Sequence, residues 1–160
     1  MSKIAIIMGS QSDLETVNET INTLKEFKVK AEVKVLSAHR TPKEVAGYVE
    51  VAPRKGIKVF ICAAAGAAAL AGVVASYTTL PVIGIPIETK SLKGLDSLLS
   101  TVQMPPGVPV ACMSIGKWGS RNAALFALEV LGITDSKIQK KLVSYKKKVR
   151  LKIIKTKIKI

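Results

Sequence analysis

Lys3-Ile4-Ala5-Ile6-Ile7-Met8-Gly9-Ser10-Gln11-Ser12-Asp13 is an apolar run that stops at a glycine and a string of short polar residues. From Ile4 to Met8 nothing alternates, so the pattern suits a strand buried on both faces, as in a parallel sheet. The break supplies side chains able to cap a helix. Leu14, Val17, Ile21, Leu24 and Phe27 then recur at helical spacing. Strand, break and helix together form the first half of a β-α-β unit.

The same alternation continues outward. Ala31–Leu36 alternates apolar and charged residues and is expected as a strand nearer a sheet edge. Ser37-Ala38-His39-Arg40-Thr41-Pro42 is a loop, with Pro42 at the favoured first position of a helix that runs to about Arg54 and ends at Gly56. Strands are expected at Val59–Ala63, Pro81–Ile85 and Val108–Met113. Helices are expected at Gly66–Ser76, around Leu95–Val102 and at Arg121–Leu131, the last ended by Gly132. Thr134 is the expected cap of a final helix through the basic tail. The fold class is therefore α/β. It is a three-layer open parallel sheet with helices on both faces, flavodoxin-like or Rossmann-like, plus a C-terminal helix. The expected organisation is one α/β domain over residues 1–150 and a basic tail over 151–160.

The 160 residues carry a net charge of +14, which raises a nucleic-acid reading. Residues 137–160 hold eleven Lys and Arg and no acid, leaving 14 basic against 11 acidic residues before them. The excess belongs to the tail, which suits a solvated helix face and a frayed end. Its one aromatic, Tyr145, gives base stacking little support, so a nucleic-acid partner is not expected. No apolar stretch reaches the ~20 residues of a membrane span and no signal peptide is evident. Cys62 and Cys112 lie in apolar runs and are expected as buried free thiols. The expected location is the cytoplasm.

Loops that follow the strands of such a sheet converge on its carboxyl edge, where ligands bind. Ser10, Ser12 and Asp13 suit an anion and ribose hydroxyls beside a helix start, or simple capping by Ser12 or Asp13. His39, the only histidine, sits between Ser37 and Arg40. An imidazole beside an anion-binding guanidinium suits general acid–base work, although a lone histidine is also often structural. Ala64, Gly66, Ala67, Ala69 and Leu70 belong to a run of small residues that allows either close ligand approach or tight packing. Residues 100–107 form a lid or a turn. GxGxxG, P-loop and CxxC patterns are missing, so nucleotide cofactors and zinc lack support.

In order along the chain, these segments resemble the N5-carboxyaminoimidazole ribonucleotide mutases. The resemblance is carried by Gly9-Ser10-Gln11-Ser12-Asp13, Ser37-Ala38-His39-Arg40-Thr41-Pro42 and Pro81-Val82-Ile83-Gly84-Ile85-Pro86. Gly94-Leu95-Asp96-Ser97-Leu98-Leu99-Ser100, Val102-Gln103-Met104-Pro105-Pro106-Gly107 and Asn122-Ala123-Ala124 add to it. It covers roughly residues 3–145. It implies a purine-biosynthetic isomerase that moves a carboxylate from the exocyclic nitrogen of a small ribonucleotide to carbon 4 of its imidazole. It further implies no metal or other cofactor, and a homo-octamer with sites where subunits meet. Ser10, Ser12 and Asp13 would hold phosphate and ribose, Ser37 and Arg40 would add anion contacts, and His39 would be catalytic. Residues 64–70 would shape the pocket. One departure stands out. The family's Ala-His-Leu-Pro-Gly is here Ala68-Ala69-Leu70-Ala71-Gly72. Related carboxylases, which use free carbon dioxide, tend to lack that histidine too, so direct carboxylation stands as the alternative.

Overall fold

Parallel strands need buried, unalternating sequence, and the computed structural model, which describes residues 3–158, places such strands at the centre. β1 (Ile4–Met8) and β3 (Val59–Ala65) lie side by side, Ile4 opposite Val59 and Met8 opposite Ala63. β4 (Val82–Ile87) flanks β3, while β2 (Ala31–Val35) and β5 (Ala111–Cys112) form the edges. All pairings are parallel and the order is β2-β1-β3-β4-β5. This is the expected three-layer, flavodoxin-like sheet.

Alternate side chains of each strand enter two cores. Ile4, Ile6, Met8, Ile61 and Ile85 meet α1 (Leu14–Glu26), α5 (Gly116–Gly132) and the start of α6 (Ser136–Ile154). Ala5, Ile7, Phe60 and Cys62 meet α2 (Pro42–Val51) and α3 (Leu70–Ser76). α4 (Leu95–Val102) crosses β4, and the crossing requires Gly84, because a Cβ there would collide with Thr101 Cγ2 and press on Val110.

Several boundaries differ from expectation, each for a local reason. α2 stops at Val51 and the chain tightens into a 3-10 turn over Ala52–Lys55, where Pro53 has no N–H for an α-helical bond. β3 continues to Ala65, and α3 starts at Leu70 rather than Gly66, because Gly66 has φ +66 and turns the chain. β5 shrinks from the expected Val108–Met113 to two residues at the sheet edge, after a turn over 105–107 and the donor-less Pro109. α5 begins at Gly116, five residues before the expected Arg121, and Gly132 stays helical while Ile133 caps it. The last helix is capped by Asp135, not Thr134: Asp135 Oδ1 accepts from the N–H groups of Lys137 and Ile138 at 3.1 and 3.3 Å. α6 runs unbroken through residue 150; the tail's Lys159 and Ile160 lie outside the described residues.

Cys62 is buried and Cys112 half-buried, both as free thiols. Among the described residues no helix is long and apolar enough to cross a membrane.

Gly84→Ala should destabilise the protein by about 1–3 kcal/mol, the usual cost of forcing an extra methyl into a packed site. Urea denaturation measures this, and an unchanged midpoint would show that α4 can lift off β4 without cost.

Candidate functional site

The chain order reverses between β1 and β3, so the loops leaving those strands part and open a crevice at the carboxyl edge. Three loops build it.

The first follows β1. Gly9 N–H still donates to Ala63 O at 3.0 Å, which prolongs the β1–β3 ladder by one bond. Ser10 then caps a 3-10 turn over Gln11–Asp13. Its hydroxyl accepts from Ser12 N–H at 3.3 Å, and its own N–H donates to Asp13 Oδ2 at 3.0 Å. The capping expected of Ser12 or Asp13 is thus led by Ser10, with Asp13 answering it. Asp13 is 4% exposed. Burial raises its carboxyl pKa above the ordinary value, opposed by the hydrogen bonds from Ser10 and Ser12 and by the charge of Arg40. Oδ1 meets only the Ser12 hydroxyl, at 3.5 Å, and keeps most of its accepting capacity.

The second follows β2. Thr41 N–H and hydroxyl both donate to Ser37 O, at 2.9 and 3.1 Å, and Ser37 N–H donates to Thr41 Oγ1 at 2.9 Å. This closes a tight turn that carries His39 and Arg40 at its tip. Arg40 donates from NH2 to Gly9 O at 2.8 Å and from Nε to Ser37 Oγ at 3.4 Å. The guanidinium therefore ties the two loops together, and its remaining N–H groups stay free for an anion. His39 is exposed and makes no hydrogen bond among the described residues.

The third follows β3. Ala64, Ala65, Ala67, Ala69 and Leu70 form one wall of a cleft of about 320 Å³. Ser10, Ser12, Asp13, Ser37, His39 and Arg40 line the rest of it. Every expected site residue except Gly66 meets there, and Gly9, Ala38 and Ala65 join them. Gly66 does not line the cleft; its N–H donates to Ser97 Oγ at 2.9 Å. Ser97, fully buried on α4, lies in a segment that carries the resemblance but was not expected at the site, because a serine inside an amphipathic helix looks like any polar filler. Residues 103–107 do not line the cleft either. Met104 packs on α3, close enough that a Cβ on Gly72 would sit 3.1 Å from its sulfur.

Two larger clefts lie elsewhere. One, of about 660 Å³, shares Ser12 and runs past Lys93 to Lys117 and the exposed Trp118. The other, of about 880 Å³, lies under α6 between Phe27, Arg121 and Lys148. Neither contains a histidine. Among the described residues no three His, Cys, Asp or Glu side chains gather as a metal site would require.

Comparison with known proteins places this geometry in context. Residues 3–152 match the AIR carboxylase family. An N5-carboxyaminoimidazole ribonucleotide mutase from Pyrococcus abyssi is 51% identical over 150 residues, covering 94% of this chain and 85% of the relative. One from Saccharolobus solfataricus is 48% identical over 158 residues, covering 99% of both. The crystal structure of Treponema denticola PurE superposes with a TM-score of 0.86 at 28% identity, covering 94% of this chain and 93% of that one.

The raised Asp13 pKa has a signed consequence. Above the ordinary carboxyl pKa the folded protein keeps a proton that the unfolded chain has released. Stability therefore falls as pH rises through that window, and the loss is complete above the folded pKa. Asp13→Asn removes this penalty, so its stability relative to wild type should grow between about pH 4 and pH 7. Urea denaturation across that range tests it, and a constant difference would overturn it.

Proposed function

This chain belongs to the AIR carboxylase family, and from that premise we propose that the cleft where β1, β2 and β3 end is its active site. The activity is that of an N5-carboxyaminoimidazole ribonucleotide mutase, an isomerase of purine biosynthesis acting on a small ribonucleotide. The observation that carries the site is the convergence of the only histidine with Asp13, Ser37 and a tethered Arg40 in one crevice.

The roles follow from chemistry. Arg40, with Ser10, Ser12 and Ser37, supplies donors to the phosphate. Asp13, an acceptor, takes ribose hydroxyls. His39 gives a proton to the exocyclic nitrogen as its bond to the carboxyl carbon breaks, releasing carbon dioxide. The ring carbon, made electron-rich by the freed amine, then attacks that carbon dioxide, and the same imidazole removes the proton left on the tetrahedral carbon. The proton is returned and no electrons are gained or lost, so the step needs no cofactor. The small residues Ala64, Ala67, Ala69 and Leu70, with Gly66 behind them, keep the carbon dioxide close between bond breaking and bond making. Direct carboxylation with free carbon dioxide is not favoured, since the relatives carry the mutase name despite Ala69 here.

Retaining carbon dioxide calls for a closed pocket, yet His39 and Arg40 are exposed in a single chain. We propose a cytoplasmic homo-octamer whose neighbouring subunits close the cleft. Val33 and Val35 on the edge strand and Trp118 on α5, left exposed at 40%, 52% and 84%, support such contacts. Sedimentation should give the octamer mass; a stable monomer would overturn this.

A folded His39→Asn protein should lose kcat by at least about 100-fold. Arg40→Ala should act mainly on KM. Under carbon dioxide scavenging, the N-carboxylated nucleotide should still give product, while aminoimidazole ribonucleotide with bicarbonate should not. Near-full turnover by His39→Asn would remove the role assigned to it.

A further inference from the structure

We infer that Ser97 is a positioning residue for the carboxylate transfer, fixing from behind the wall that the transferring group meets. The inference rests on the proposed active site and deepens it.

From Ala63 to Ala69 the chain holds only alanine and glycine. No side chain in that wall can anchor it, so its shape depends on backbone bonds to other elements. Ser97 supplies the central one. It is 0% exposed, its hydroxyl donates to Ile87 O at 2.7 Å, and the same oxygen accepts from Gly66 N–H at 2.9 Å. One hydroxyl thus ties the end of β4 to the turn after β3. Ser100, one helical turn on, adds a longer contact to Gly66 O at 3.4 Å.

The consequence lies one peptide further along. Ala68 N–H is taken by Gly66 O at 2.8 Å and Ala69 N–H by Ala67 O at 2.7 Å. With Gly66 N–H held by Ser97, Ala67 keeps an N–H without a partner among the described residues, as does Leu70 at the start of α3, and both residues line the cleft. Gly66 adopts φ +66, which side chains rarely tolerate, and Ser97 holds the peptide entering that conformation. In a wall without a histidine, a fixed and unpaired N–H is what remains to meet a carboxylate. Ser97 acts through that peptide and does not touch substrate.

The phosphate and ribose contacts sit on the other two loops. Loss of the Ser97 hydroxyl should therefore cut kcat and spare KM. Ser97→Ala should lower kcat by about tenfold or more, as a misplaced reacting group does, with KM held within about threefold. Hydrogen exchange of the 63–70 peptide should speed up in the same sample. Gly66→Ala, whose Cβ would meet nothing within 4 Å, strains the turn while leaving Ser97 in place, and should lower kcat in the same direction. It serves as the reading if Ser97→Ala does not fold. Wild-type kcat in folded Ser97→Ala, or in Gly66→Ala where that protein fails, overturns the inference. So does a loss in KM alone. His39→Asn is measured in parallel: if it too keeps full turnover, the site itself is wrong. If only His39→Asn is impaired, the site stands and Ser97 has no role.

Discussion

The pairing of β1 with β3 is the constraint from which the site hangs. Both strands are buried along their paired length, and each large aliphatic side chain removed from water there contributes about 1.5–3 kcal/mol. The ladder continues past β1 to Gly9, so the first and third loops leave the sheet from fixed points. β2 pairs only with β1, and the chain crosses to β3 for everything that follows. The crevice is thus set by strand order before any catalytic side chain is considered. Arg40 completes it by bonding Gly9 O, so the loop bearing His39 takes its position from β1 as well as β2.

Those relations explain what was legible in the sequence. The central strands announce themselves because burial on both faces forbids polar residues, and β2 announces itself as an edge because alternation returns. α4 was bounded correctly at Leu95–Val102. Misplaced boundaries share a cause: they are set by local backbone features that hydrophobic periodicity does not carry, such as Pro53 and the positive φ of Gly66. α5 can begin at Gly116 because Gly119 closes against the backbone of Ser114, a contact no periodicity reveals. Ten of the eleven expected site residues share one cleft because they end or follow strands. Gly66 is the exception, and its partner Ser97 lies 31 residues away on another element.

The charge is equally a matter of location. α6 buries Ile138 and Leu142, and its Tyr145 ring packs on Phe27 with centroids 5.6 Å apart. Beyond that point its attachments are exposed pairs such as Lys146–Glu129 at 2.8 Å. An exposed pair of this kind contributes at most about 1 kcal/mol. Packing therefore fixes the first half of α6, while the lysines of the second half stay in water. The net charge of +14 describes that helix more than it describes the domain.

What the third loop lacks organises the chemistry around it. Ala69 carries no group that can hydrogen-bond a carboxylate, and the wall from Ala63 to Ala69 offers only backbone. In the proposed mechanism, proton transfer therefore falls to His39 and fixed positive charge to Arg40. Both stand on the second loop and line the same cleft as the alanines. In that proposal, a carboxyl group that leaves nitrogen and returns to carbon moves between a wall that supplies shape and a loop that supplies protons and charge. Shape from backbone is only as exact as its anchoring. In the proposed site that anchoring comes from a buried hydroxyl on α4, held to a glycine with φ +66.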